Sequence, residues 1–103
     1  MVEAKQTAPD SAHIRVELFG LARIITGTRK VPLTVPRQAG ACELAGALAE
    51  VRPELVGQVI LENLSGFQPS YTFNLNGAEF AHEEQMQLKT GDTVLLFSSQ
   101  VGG

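Results

Sequence analysis

The sequence predicts an α+β fold. One domain is expected, a mixed sheet of four to five strands with one main helix packed across it. Three observations carry that expectation. Apolar residues alternate at Ile14, Val16 and Leu18 and again at Val31, Leu33 and Val35, the period of half-buried strands. In "GACELAGALAEV" the spacing lengthens, and Leu44, Leu48 and Val51 fall on one face of a helix. Late in the chain, "YTFNL" runs into Asn76-Gly77, a pair suited to the positive backbone angles of a tight hairpin turn. A single helix over a single sheet gives each element a place to bury its apolar side.

The first strand is "HIRVELFG", where Phe19 falls on the polar parity. "LARIITGTR" reads as a short helical turn or loop closed by Gly27. "KVPLTVP" is a strand with Pro32 and Pro36 facing away from its apolar side. Proline cannot donate to a ladder, so this strand belongs at a sheet edge, antiparallel to the first. Alanines around Leu44 and Leu48 permit a close approach of helix to sheet. Pro53 stops that helix and is preorganised to open a second short one. In "PELVGQVILENL", Leu55 and Val59 are expected to pack, together with Leu61 or Leu64; "SGFQPS" is a loop. After the Asn-Gly turn, Glu79-Phe80 starts a short return strand. "AHEEQMQL" is polar and irregular, with Leu88 plugging the core, and "KTGD" is a turn. "TVLLFSS" is the most apolar strand and is expected near the sheet centre, covered on both faces. The order is β-β-α-β-β-β.

Bulk properties set outer bounds. A chain of 103 residues has room for one modest core. A net charge of −3, with its basic residues scattered, argues against nucleic acid. No apolar run has the length of a membrane span, and "MVEAKQTAPDSAH" has no apolar stretch of a signal peptide. The lone Cys42 excludes an internal disulfide and fits a reducing compartment. The protein is therefore read as cytoplasmic. Residues 1–12 are expected to form a disordered tail, 13–98 the folded domain, and 99–103 a flexible tail ending in Gly-Gly. Cys42 near a helix start reads as a small half-buried residue. His82-Glu83-Glu84 reads as solvated polar loop rather than a ligand set, so no metal is expected.

The segments "LNG", "LKTGDTVLLF" and the terminal "VGG", with the opening "IRVELFGLARIITG", resemble the β-grasp sulfur carriers of the MoaD/ThiS family. These are ubiquitin-like relatives that include the small subunit of molybdopterin synthase, the branch this sequence resembles most. The resemblance spans roughly residues 13–103. Where the molybdopterin branch usually has two prolines before its tail, this chain has Ser98-Ser99.

The resemblance implies a β-grasp fold and a carrier rather than an enzyme. The Gly103 carboxylate would be adenylated at the expense of ATP, then converted by a persulfide to a thiocarboxylate that donates sulfur in molybdopterin biosynthesis. Gln100, Val101 and Gly102 would thread the partner's channel; without a Cβ, the glycines let the backbone approach the channel walls. No cofactor is expected on the chain itself, since ATP is used by the partner. The implied partners are a ubiquitin-activating-type adenylating enzyme (MoeB/ThiF-like), a molybdopterin synthase large subunit (MoaE-like) and a sulfurtransferase. The same tail would serve thiamin, cysteine or tRNA thiolation, or a ubiquitin-like protein modifier. A plain interaction module with an idle tail is a further alternative. Phe19 and Phe97 form the expected partner interface: with the first and last strands parallel and adjacent, the two rings would share the open sheet face. The alternative is that Phe97 is covered by the Ser65–Ser70 loop and Phe19 by the segment that follows it.

Overall fold

The computed structural model describes residues 11–77, 79–81 and 87–98, with 79–81 as backbone. The elements run β1 (Ser11–Leu18), α1 (Leu21–Thr26), β2 (Lys30–Pro36), α2 (Ala41–Val51), a 3-10 turn (Pro53–Leu55), β3 (Tyr71–Leu75), β4 (Glu79–Ala81) and β5 (Thr93–Ser98). The five strands form one mixed sheet in the order β2-β1-β5-β3-β4. The last strand in sequence is thus the middle of the sheet. It runs parallel to β1, with Val16 beside Val94 and Leu18 beside Leu96, and antiparallel to β3.

Strand alternation sets the core face. Ala12, Ile14, Val16 and Leu18 of β1, Val31, Leu33 and Val35 of β2, Phe73 of β3, and Val94 and Leu96 of β5 are all buried. Leu44, Ala45 and Leu48 of α2 close over them, and Leu55, Val59, Ile60, Phe67 and Leu88 fill the rest. Burying one such side chain contributes about 1.5–3 kcal/mol. Pro32 and Pro36 lie on β2, an edge strand, as expected.

The turn chemistry follows the residues. Asn76 and Gly77 both take positive φ, 59° and 73°, and reverse the chain between β3 and β4. Asn76 also ties that turn to the one before β5. Its Oδ1 accepts the Thr93 N–H at 2.7 Å, and its Nδ2 donates to Asp92 Oδ1 at 3.1 Å. Asp92 is buried and additionally accepts from the Lys89 N–H at 3.0 Å and Lys89 Nζ at 3.3 Å. Burial by itself would raise the Asp92 carboxyl. The hydrogen bonds from Asn76 and Lys89, with the ammonium charge, outweigh it and hold the group below its ordinary value. At the start of α2, Glu43 Oε1 accepts the Gly40 N–H at 2.9 Å and satisfies an orphan end of the helix.

Four details depart from the sequence reading. β1 begins at Ser11, ahead of position 13, because Ser11 pairs with Pro36 and the small Ala12 is fully buried opposite Val35. Val51 is 44% exposed. The inward stripe of α2 is centred on Ala41, Ala45 and Leu48, which rotates Val51 to the rim of the last turn. Ile60 packs where Leu61 or Leu64 was expected; Leu64 is exposed at the end of the segment. β5 is covered on one face only: Val94 and Leu96 are buried under α2, whereas Leu95 and Phe97 on the other face are half-buried. No described helix is long and apolar enough to cross a membrane.

Candidate functional site

The parallel pairing of β1 with β5 brings the C-terminal ends of both strands to the same edge of the sheet. The Phe19 N–H donates to the Leu96 carbonyl at 3.1 Å, carrying the ladder one residue past Leu18. Phe19 and Phe97 have the outward parity of Glu17 and Leu95, so both rings lie on the face away from α2. They meet edge to face, with centroids 5.9 Å apart and planes at 84°. Such a pair contributes about 0.5–1.5 kcal/mol beyond its buried area. Phe67, within the Ser65–Ser70 loop, turns to the core side, 5.0 Å from Phe73.

Arg29 completes the cluster. Its guanidinium carbon lies 5.4 Å from the Phe19 ring centroid, and its Nε is 4.0 Å from Glu17 Oε1. The Arg29 carbonyl accepts the Leu18 N–H at 2.6 Å, which fixes the start of β2 against the end of β1. Phe19 is half-buried and Arg29 exposed; an exposed cation over an aromatic face contributes about 0.5–1 kcal/mol. The result is an aromatic pair with a charged margin at the point where β5 ends.

Between Phe19 and α1 the chain turns on Gly20, whose φ of 63° and ψ of −133° suit a residue without a Cβ. α1 then presents Leu21, Arg23 and Ile24 to solvent, with an open depression of about 430 Å³ lined by Gly20, Arg23, Ile24 and Gly27. Gly27 closes the helix in the left-handed conformation, its N–H donating to Arg23 O at 2.8 Å.

Of the residues singled out in the sequence, Phe19 and Phe97 are brought together. Gln100, Val101, Gly102 and Gly103 lie outside the described residues, as do His82, Glu83 and Glu84. Cys42, read from the sequence as half-buried, is instead exposed on the first turn of α2, whose inward side is taken by Ala41, Leu44 and Ala45. Among the described residues no three His, Cys, Asp or Glu side chains are grouped to hold a metal ion. The sequence reading missed Arg29 as a member of the cluster, and missed Leu21 and Ile24. The signal was present in "LARIIT": Ala22 and Ile25 form the inner pair of the helix, which leaves positions 21 and 24 outside.

Neither a protein-family model nor a curated protein matches the sequence. Solved structures do. The chain is similar to SAMP1 from Haloferax volcanii, with 23% identity and a TM-score of 0.74 over 89% of this chain and 100% of that one. It is also similar to a putative molybdopterin converting factor, subunit 1, from Pyrococcus furiosus, with 19% identity, a TM-score of 0.61, and 84% and 97% of the two chains covered. Urm1 from Trypanosoma brucei matches at 19% identity and a TM-score of 0.60 over 91% of this chain and 98% of that one. The fold is the ubiquitin-like β-grasp. In β-grasp terms, α2 is the helix held by the sheet, and β5 is the central strand whose end carries the Phe19–Phe97 cluster.

Proposed function

We propose that the protein is a sulfur carrier whose C-terminal Gly103 carboxylate is activated by a partner enzyme. The supporting observation is the parallel β1–β5 register, which ends the central strand beside an aromatic pair, with residues 99–103 following directly. An aromatic surface next to a slender tail suits a partner that grips the body while it works on the end. The partner's ATP supplies the driving force. The carboxylate oxygen attacks the α-phosphorus, the bond to pyrophosphate breaks, and an acyl-adenylate forms. A persulfide sulfur then attacks the acyl carbon and AMP leaves. A second thiol cleaves the resulting acyl disulfide, taking one sulfur into a new disulfide and freeing the thiocarboxylate. Holding the tail in line with the phosphate contributes up to about 7–11 kcal/mol through positioning. No residue of this chain needs to act as base or nucleophile beyond the terminal carboxylate.

The acceptor we favour is the pyranopterin precursor of the molybdenum cofactor. This is supported by the sequence resemblance to the synthase small subunit and by the Pyrococcus furiosus neighbour named as a molybdopterin converting factor. The partners would be the adenylating enzyme, a sulfurtransferase and the synthase large subunit. A second reading, conjugation of the same acyl-adenylate to a lysine amine, is favoured by neighbours named as small archaeal modifier proteins. Intact-mass measurement of the protein isolated from its own host separates the two. Exchange of one oxygen for sulfur at the terminus is expected for the carrier. A ladder of larger conjugates that disappears on deleting Gly103, with no sulfur at the terminus, would instead establish the modifier.

A further inference from the structure

Among the described residues four large hydrophobic side chains stand exposed, and two of them, Leu21 at 44% and Ile24 at 77%, belong to the six-residue α1. Three positions apart on a helix, they form one ridge. Single exposed leucines are ordinary on protein surfaces, but the core already takes its share of this helix through Ala22 and Ile25. Ile24 thus stands almost clear of the domain, and Leu21 keeps close to half of its surface outside it.

The ridge's location says what it faces. α1 begins two residues after Phe19, whose N–H is bonded to Leu96 on the central strand. Ser98, the last described residue, is two positions beyond Leu96, and five residues follow it. Fully extended, five residues reach no farther than about 18 Å. An enzyme that reacts with the Gly103 carboxylate is thereby confined to a short radius around the end of β5, the end beside which α1 sits. The charge at this corner is also distinctive. Arg23 projects from α1, and Arg29 covers Phe19, while Glu17 is engaged by Arg29. A chain with a net charge of −3 presents a locally basic margin there.

We propose that Leu21 and Ile24, flanked by Arg23, form a docking ridge for the body of the enzyme that adenylates the tail, and that the matching surface of that enzyme is apolar with an acidic rim. The inference rests on the sulfur-carrier reading and adds the determinant that selects the activating enzyme before the tail is threaded. Contacts distributed this way raise affinity without entering the reaction, so their loss falls on KM rather than kcat.

The test is ATP–pyrophosphate exchange catalysed by the purified ubiquitin-activating-type enzyme of the same organism, with the full chain as varied substrate. The double substitution Leu21→Asp and Ile24→Asp is expected to raise KM at least tenfold with kcat unchanged. Arg23→Glu is expected to raise KM and to remove most of its salt dependence. Leu64→Asp, the same chemical change at the exposed leucine of the loop before β3, serves as the control and should shift KM less than twofold. Thermal unfolding of each variant verifies that the domain is intact. A KM within twofold of the parent for the double variant, with the parent exchanging normally, overturns the ridge and leaves the carrier reading standing. Failure of the parent itself to support exchange overturns both.

Discussion

Phe19 and Phe97 lie almost eighty positions apart in sequence, yet their rings meet edge to face at 5.9 Å. The contact follows from the parallel register of β1 and β5, since Leu18 stands beside Leu96 and each phenylalanine comes one step later. It joins the edge of α1 to the end of the central strand. A double-mutant cycle with Phe19→Ala and Phe97→Ala should therefore yield a coupling energy of about 0.5–1.5 kcal/mol in urea unfolding. Strict additivity of the two single variants would mean that the rings do not interact in solution.

Gly20 holds the corner between that contact and α1. A Cβ built there meets nothing within 4 Å, so its space is open, but φ is +63°. Gly20→Ala should cost about 1–3 kcal/mol through backbone strain alone. Equilibrium unfolding measures it; a stabilised variant would show that the backbone is not held in this conformation.

Asp92 gives the protein an acid-sensitive joint. Its folded-state carboxyl lies below the ordinary value, although burial opposes that, because Asn76 and Lys89 donate to it. A group depressed on folding stabilises the native state above its unfolded value, near pH 3.9. That contribution is lost as pH falls through the unfolded value and on through the lower folded one. Asp92→Ala should lower stability by about 1–3 kcal/mol at neutral pH. Unfolding curves from pH 7 to pH 2 should show the difference shrinking on the acid side. A gap that stays constant with pH would contradict the assignment.

The face of α2 can be tested in the same way. Leu48→Ala removes a fully buried side chain and should cost about 2–5 kcal/mol, whereas Val51→Ala, at an exposed position, should cost less than about 0.5 kcal/mol. Comparable losses at the two positions would return Val51 to the core.

Much of this architecture is legible in the amino-acid order, and the reasons differ by element. Period-2 runs at β1 and β2 mark the buried face because side chains alternate across a strand, and the prolines mark the edge. Asn76-Gly77 marks its turn because few other pairs accept two positive φ angles. The parallel register that pairs Phe19 with Phe97 is nonlocal; it came into view through the resemblance to the β-grasp carriers, and no single segment encodes it. Val51 was misplaced because a leucine-and-valine spacing suggests a face, while the actual face is set by where alanines let the helix approach the sheet. Leu95 was misplaced because an unbroken apolar run looks the same whether a strand is covered on both faces or on one. Arg29 belongs to no motif; it joins the cluster because the end of β1 is hydrogen-bonded to the start of β2. Gln100 to Gly103, where the chemistry is proposed, carry a compositional signal rather than a structural one.

The central claim is that the Gly103 carboxylate is the reacting group. Pyrophosphate exchange by the adenylating enzyme tests it most directly, comparing the natural chain with one bearing a single alanine after Gly103. Exchange is expected with the natural chain, and a loss of at least a hundredfold with the extended one. Equal exchange by both chains would contradict the claim.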